Sequence, residues 1–271
     1  MMDYGQSALL GLVEGLTEFL PVSSTGHLIL VREFFGVDPA NGLAIDAVLQ
    51  LATTLAIVAY FWNDILKLAS TALSSALGKA TDAGEKRLLG AIVLGTIPAL
   101  ILGFLLEETM ATTFRNPELV AWALIAGSAV MLAAELIAAR TKAPKLIHEL
   151  GAGKGFLVGI FQALALVPGM SRSGMTISAG LFFGLTRDAA ARFGFLLSVP
   201  ILAGAGLKKF IELAQTGTLA AIGPELLVGS IIAFLSGIAA IHWLLLFLRT
   251  RNLYPFIVYR VVLAGILLFV L

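Results

Sequence analysis

The chain contains no cysteine and little charge. Without cysteine there is no disulfide, no thiolate metal site and no cysteine nucleophile. Charged residues are 13% of 271, about half the roughly 25% found in soluble domains. So little charge cannot coat a water-facing globule. The formal net charge of +1 provides no field to gather nucleic acid. Nucleotide motifs are missing as well: there is no GxxxxGK[ST] run and no dinucleotide fingerprint, and GAGKG at 151–155 has the context of neither. The opening MMDYGQSALLGL lacks a basic region and a small-residue cleavage site. It is expected to belong to the mature protein rather than to a removed signal peptide.

What is present is apolar. Hydrophobic residues make up 59% of the chain, and the mean hydropathy is +0.97. A lipid bilayer is the natural solvent for such a composition. Six segments are long and apolar enough to span about 30 Å of hydrocarbon as helices: 45–62, 88–106, 118–139, 189–207, 225–248 and 254–271. Two further apolar stretches, 5–36 and 155–185, are interrupted by polar breaks at Pro21–Gly26 and Pro168–Gly174. Their flanks are too short to span, and open backbone in lipid leaves unsatisfied polar groups. They are expected to be re-entrant helix–loop–helix hairpins dipping into a cavity lined by the other helices.

The two breaks, EFLPVSSTGH and ALVPGMSRSGM, resemble each other, and each is followed by three expected spans. The expected fold is therefore a single all-α integral membrane domain over 1–271. It combines six transmembrane helices with two re-entrant hairpins in an inverted-topology repeat, approximately 1–140 and 151–271. Basic residues set the orientation. Lys67, Lys79, Lys86 and Arg87 fall in one connection, Arg140, Lys142, Lys145 and Lys154 in another, and Arg249 and Arg251 in a third. Alternating spans put these on one side, expected to be cytoplasmic. The connection with Glu107 and Glu108 falls outside, and Lys208 and Lys209 run mildly against the rule. The hairpins then approach from opposite faces and meet near mid-membrane.

Costly polar groups concentrate in those breaks. Glu14 and Glu18 are four apart, on one helical face, where a carboxylate pair raises one pKa or binds a cation. Pro21 ends the first half-helix. Ser23, Ser24 and Thr25 can cap the next, whose free N–H groups suit phosphate. His27 lies three residues after Ser24, close enough on a first turn for the side chains to meet, and serine near histidine near carboxylate is an activated-nucleophile pattern. The second break adds Arg172, whose partner is Glu14, Glu18 or a substrate phosphate. Its structural reading is an Arg–Glu pair locking the two halves together. Gly169 and Gly174 allow close backbone approach. Together these groups suit phosphoryl transfer to or from an amphiphile whose tail stays in lipid.

EGLTEFLPVSSTGH (14–27) and PGMSRSGMTI (168–177) closely resemble the two signatures of the bacterial undecaprenyl-diphosphate phosphatase, or bacitracin-resistance, family. QLATTLAIVAYFW (50–62), GTIPA (95–99) and YRVVLA (259–264) extend the resemblance along nearly the whole chain. The resemblance implies the fold described above. It also implies hydrolysis of undecaprenyl diphosphate at the outer face of the cytoplasmic membrane, recycling a lipid carrier for peptidoglycan synthesis. A divalent cation, Mg2+ or Ca2+, is implied at Glu14 and Glu18. Carried over residue by residue, the catalytic set is Glu14, Glu18, Ser24, His27 and Arg172. Substrate binding falls to Ser23, Thr25, Gly26, Ser171, Ser173, Gly174 and Thr176, with Gln50 and Arg260 as cavity-facing candidates. Lipid and a second copy of the chain are the expected partners, without nucleic acid. A phosphatase family built on Arg-Pro, Ser-Gly-His and a later His is excluded, because there is no Arg-Pro pair and no histidine between Arg172 and His242. Two mechanisms stay open: attack by Ser24 with His27 taking the proton, or attack by water activated by His27. The competing function is a polyprenyl-phosphate transporter or flippase using the same loops for binding.

Overall fold

Asp3 starts the first helix by accepting a 2.7 Å hydrogen bond from the Gln6 amide, while the Gln6 side chain accepts one from the Asp3 amide. This computed structural model describes residues 3–35, 42–106, 116–215 and 217–270. Among them are eleven α-helices: α1 Tyr4–Phe19, α2 Ser24–Phe35, α3 Gly42–Tyr60, α4 Trp62–Ala76, α5 Ala83–Leu105, α6 Pro117–Ala138, α7 Ala152–Leu164, α8 Arg172–Phe182, α9 Arg187–Gln215, α10 Thr218–Leu248 and α11 Tyr254–Val270. The expected broken pairs are α1–α2 and α7–α8. Their arms have 16, 12, 13 and 11 residues. At 1.5 Å per residue none exceeds about 24 Å, which is short of a bilayer core.

Among the described residues four helices are long and apolar enough to cross a membrane: α5, α6, and the long parts of α9 and α10. The chain is thus a multi-pass membrane protein. The expected span at 45–62 does not end in a loop. It runs through Phe61 into α4 with a 78° bend. Arg192 of α9 fixes that bend, with its guanidinium 2.5 Å from Asp64 and 5.2 Å from the Phe61 ring centroid. The last expected span, α11, is apolar but, at 17 residues, shorter than those four.

Close helix pairs run across the chain. A Cβ on Gly11 of α1 would strike the Gly229 carbonyl of α10, and one on Gly159 of α7 would strike the Gly95 carbonyl of α5. Small residues let these backbones touch where lipid supplies little hydrophobic drive. Gly95, Gly155 and Gly159 thus pack α5 onto α7.

One end of the bundle gathers the basic connections. Lys145 donates its amide to the Gly184 carbonyl at 2.7 Å and accepts from the Thr186 amide at 3.1 Å. A Cβ on Gly84 would lie 3.1 Å from that of His148. Glu135, 1% exposed, takes Arg187 in a two-pronged pair and accepts the Leu253 amide at 2.8 Å. The second broken pair starts at this end, at Ala152. The first starts at the other: Ser7 donates to the Glu225 carbonyl at 2.6 Å near the beginning of α10, and α10 finishes beside the basic connections. Glu107 and Glu108 lie outside the described residues.

Candidate active site

Both breaks bend in the same way. Ser23 has φ 73° and Ser171 has φ 69°, and among the described residues no other non-glycine has positive φ. Left-handed backbone costs a side-chain-bearing residue about 1–2 kcal/mol. Each serine sits immediately before the second helix of its pair, so the strain aims Ser24 in one loop and Arg172 in the other. Ser171 also caps α8, accepting the Gly174 amide at 3.2 Å.

The loops touch. Arg172 donates from Nη1 to Glu18 Oε1 at 3.1 Å, and Ser24 donates from Oγ to Glu18 Oε2 at 2.7 Å. Ser173 donates to the Leu20 carbonyl at 3.1 Å and shares a 3.1 Å hydrogen bond with Ser171. Glu18 is thus held from both loops at once. Of the two carboxylates offered to Arg172 by the sequence, it pairs with Glu18. The side chains of Arg172 and Glu18 are 24% and 8% exposed, which leaves the guanidinium the more open of the two.

Two cavities meet at Ser24. The smaller, about 50 Å³, is lined by Glu18, Ser23, Ser24, Thr25, Gln50, Ser171 and Arg172, with Pro168 and Gly169. The larger, about 200 Å³, lies between α2 and α3 and is lined by Glu14, Ser24, Thr25, Arg32, Asp46 and Gln50. Ser24, Thr25 and Gln50 wall both. Arg32 and Asp46 form an ion pair across the larger one. Glu14 is only 2% exposed and faces oxygen-bearing neighbours.

His27 departs from the sequence expectation. It does not bond to Ser24. Nδ1 lies 2.8 Å from the Ser23 carbonyl and Nε2 lies 2.7 Å from the Tyr259 hydroxyl. The reason is helical geometry: the ring lies back along its own turn onto the residue four before it, while Ser24 turns toward α1. Neither Glu14 nor Glu18 bonds to His27.

Arg260 departs too. It is 0% exposed and lines neither cavity. Its Nη2 donates to the carbonyls of Gly169 at 2.9 Å, Met170 at 3.2 Å and Leu124 at 3.1 Å, and its Nε donates to Ser128 Oγ at 3.1 Å. It braces the second loop from behind. Thr176 spends its hydroxyl on the Arg172 carbonyl at 2.9 Å. Gly26 is buried with Leu124 and Leu263 close by, and Gly174 lies against Met131. These glycines let the loops pack, and their own atoms face protein. Tyr259 was missed: no spacing rule ties position 259 to position 27, and its one signal was its place in the YRVVLA segment.

A carboxylate that holds a hydroxyl and is itself held by a guanidinium can orient and deprotonate that hydroxyl. The exposed guanidinium beside it suits a phosphoryl group.

The family profile described as bacitracin resistance protein BacA matches residues 7–266. An undecaprenyl-diphosphatase of Mycobacterium ulcerans (strain Agy99) is 42% identical over 272 residues, covering 100% of this chain and 97% of its own length. One from Mycobacterium tuberculosis (strain ATCC 25177 / H37Ra) is 44% identical over 263 residues, covering 96% and 94%.

Proposed function

The chain belongs to the bacitracin resistance protein BacA family, and from that premise we propose how its two loops hydrolyse undecaprenyl diphosphate to undecaprenyl phosphate and inorganic phosphate. One observation carries the mechanism. Ser24 of the first loop donates to Glu18, and Glu18 is anchored by Arg172 of the second.

Arg172 swings part of its fork from Glu18 to the terminal phosphate, giving bidentate recognition. Ser24 Oγ attacks the terminal phosphorus, and its proton passes to Glu18. The bond from that phosphorus to the bridging oxygen breaks, and undecaprenyl phosphate leaves with the electron pair. Water then cleaves the phosphoserine, Glu18 returning its proton, and inorganic phosphate is released. His27 supports the turn and does not take the Ser24 proton. Charge on the phosphoryl oxygens is met by Arg172 and by the N-terminal amides of α2.

The wall at Glu14 offers a hard cation oxygen ligands from Glu14, Ser24, Thr25, Gln50 and Asp46, beside the Arg32 guanidinium that pairs with Asp46. No group of three or more His, Cys, Asp or Glu among the described residues makes a full cage. Glu14 and Glu18 would hold a Mg2+ or Ca2+ ion, which would supply charge neutralisation when bound.

The finer topology is part of the same reading: six spans and two re-entrant pairs, inverted about the membrane plane, in the cytoplasmic membrane. Supporting it are the short arms of both pairs, their starts at opposite ends, and the basic connections at one end, read as cytoplasmic. The site then opens outward, through the first loop.

The test is phosphate release from detergent-solubilised undecaprenyl diphosphate by wild type, Ser24→Ala and Arg172→Ala. Wild type should release phosphate, and each folded variant should lose on the order of 10³-fold or more in kcat/KM. Ser24→Ala activity near wild type would replace the phosphoserine route with direct attack by water.

A further inference from the structure

Helix α11 gives adjacent residues to opposite loops. Arg260 holds the Gly169 and Met170 carbonyls of the second. Tyr259 holds His27 beyond the first. The Tyr259 and His27 rings are parallel within 3°, with centroids 5.5 Å apart. The hydroxyl lies 2.7 Å from Nε2.

The partners decide the tautomer. The Ser23 carbonyl only accepts, so Nδ1 of a neutral His27 carries the proton and Nε2 is the acceptor. Tyr259 then donates into Nε2. The Ser23 carbonyl belongs to the strained residue at φ 73° that precedes Ser24. A chain of contacts therefore runs from Tyr259 through His27 to the turn that aims Ser24 at Glu18.

We propose that Tyr259 is a positioning residue that acts through His27: its hydroxyl donates to Nε2 and fixes the ring, and the imidazole, held as the Nδ1–H tautomer by the Ser23 carbonyl, clamps that carbonyl so that the strained turn presents Ser24. This rests on Ser24 as the nucleophile. Tyr259 touches no reacting atom. A tyrosine that only packed would be replaced by phenylalanine without loss, because the ring is kept.

The experiment compares wild type with Tyr259→Phe, full length in detergent, by nitrogen-15 NMR of labelled histidine and by steady-state hydrolysis. The chain has three histidines, and His27→Gln identifies the relevant signals. In wild type, His27 Nδ1 should resonate as a protonated ring nitrogen and Nε2 as an unprotonated acceptor. In Tyr259→Phe the Nε2 signal should move to the position of an acceptor that has lost its donor. There kcat should fall about three- to tenfold, the rate equivalent of one lost hydrogen bond, with KM unchanged. A wild-type His27 protonated at Nε2 would overturn the proposal. So would a Tyr259→Phe protein with an unmoved Nε2 signal and wild-type kcat. If the signals behave as expected while Ser24→Ala retains activity, the nucleophile assignment fails and the clamp loses its catalytic purpose. The two failures are therefore told apart.

Discussion

Replacing Glu18 with glutamine removes one charge and almost no volume. Glu18 now accepts two hydrogen bonds, one per oxygen, from Ser24 at 2.7 Å and Arg172 at 3.1 Å. The amide has a single oxygen. If it faces Ser24, the NH2 group meets the Arg172 donor; if it faces Arg172, the NH2 group meets the serine hydroxyl. Either way one charge-assisted bond is lost, worth about 1.5–3 kcal/mol, and the general base goes with it. The bond alone corresponds to about 10–150-fold in rate, and the base to about 10²–10⁴-fold. Both losses fall on one group and are not additive, so kcat should drop about 10²–10⁴-fold. Folding should suffer less than the 3–5 kcal/mol typical of breaking a buried pair, because Arg172 is 24% exposed and can turn to water or phosphate. The assay is phosphate release at saturating substrate, with thermal unfolding in the same detergent as a control. A folded Glu18→Gln enzyme within about fivefold of wild-type kcat would refute Glu18 as the partner of Ser24.

Other perturbations separate the remaining roles. Glu14→Gln should raise the cation concentration for half-maximal activity about tenfold or more, and chelator should silence wild type reversibly; a cation titration checks both. Gly159→Ala should lower the thermal midpoint, because the new methyl meets the Gly95 carbonyl and overpacking costs about 1–3 kcal/mol. Glu135→Ala should destabilise by about 1–3 kcal/mol in an unfolding experiment, since it leaves the buried Leu253 amide without its acceptor while Arg187, 30% exposed, can turn to water, and kcat per folded molecule should stay near wild type.

Much of this was legible in the sequence because membrane chains announce themselves through cost. Glu14, Glu18 and Arg172 stand out against apolar surroundings, and Pro21 and Pro168 mark broken helices that lipid does not tolerate unless they line a cavity. Both broken pairs follow from that, and so does an acidic partner for Arg172, but which of Glu14 and Glu18 it takes does not. Side-chain direction does not. Spacing brought Ser24 and His27 within reach of each other, yet one turned to α1 and the other to α11. Arg260 read as a polar group on a spanning helix and was expected to face the cavity; four acceptors from α6 and the second loop drew it inward instead. The bend at Phe61 was hidden because α3 and α4 are both helical, and the contacts that Arg192 of a distant helix makes with Asp64 and Phe61 leave no local signal in the sequence.

The most direct measurement is a rapid acid quench of the enzyme with substrate labelled in its terminal phosphate, followed by mapping of the labelled peptide. The account predicts label on Ser24 within a single turnover, absent from Ser24→Ala and greatly reduced in Glu18→Gln. Full-rate phosphate release with no labelled serine at any quench time would contradict it and give the attack to water.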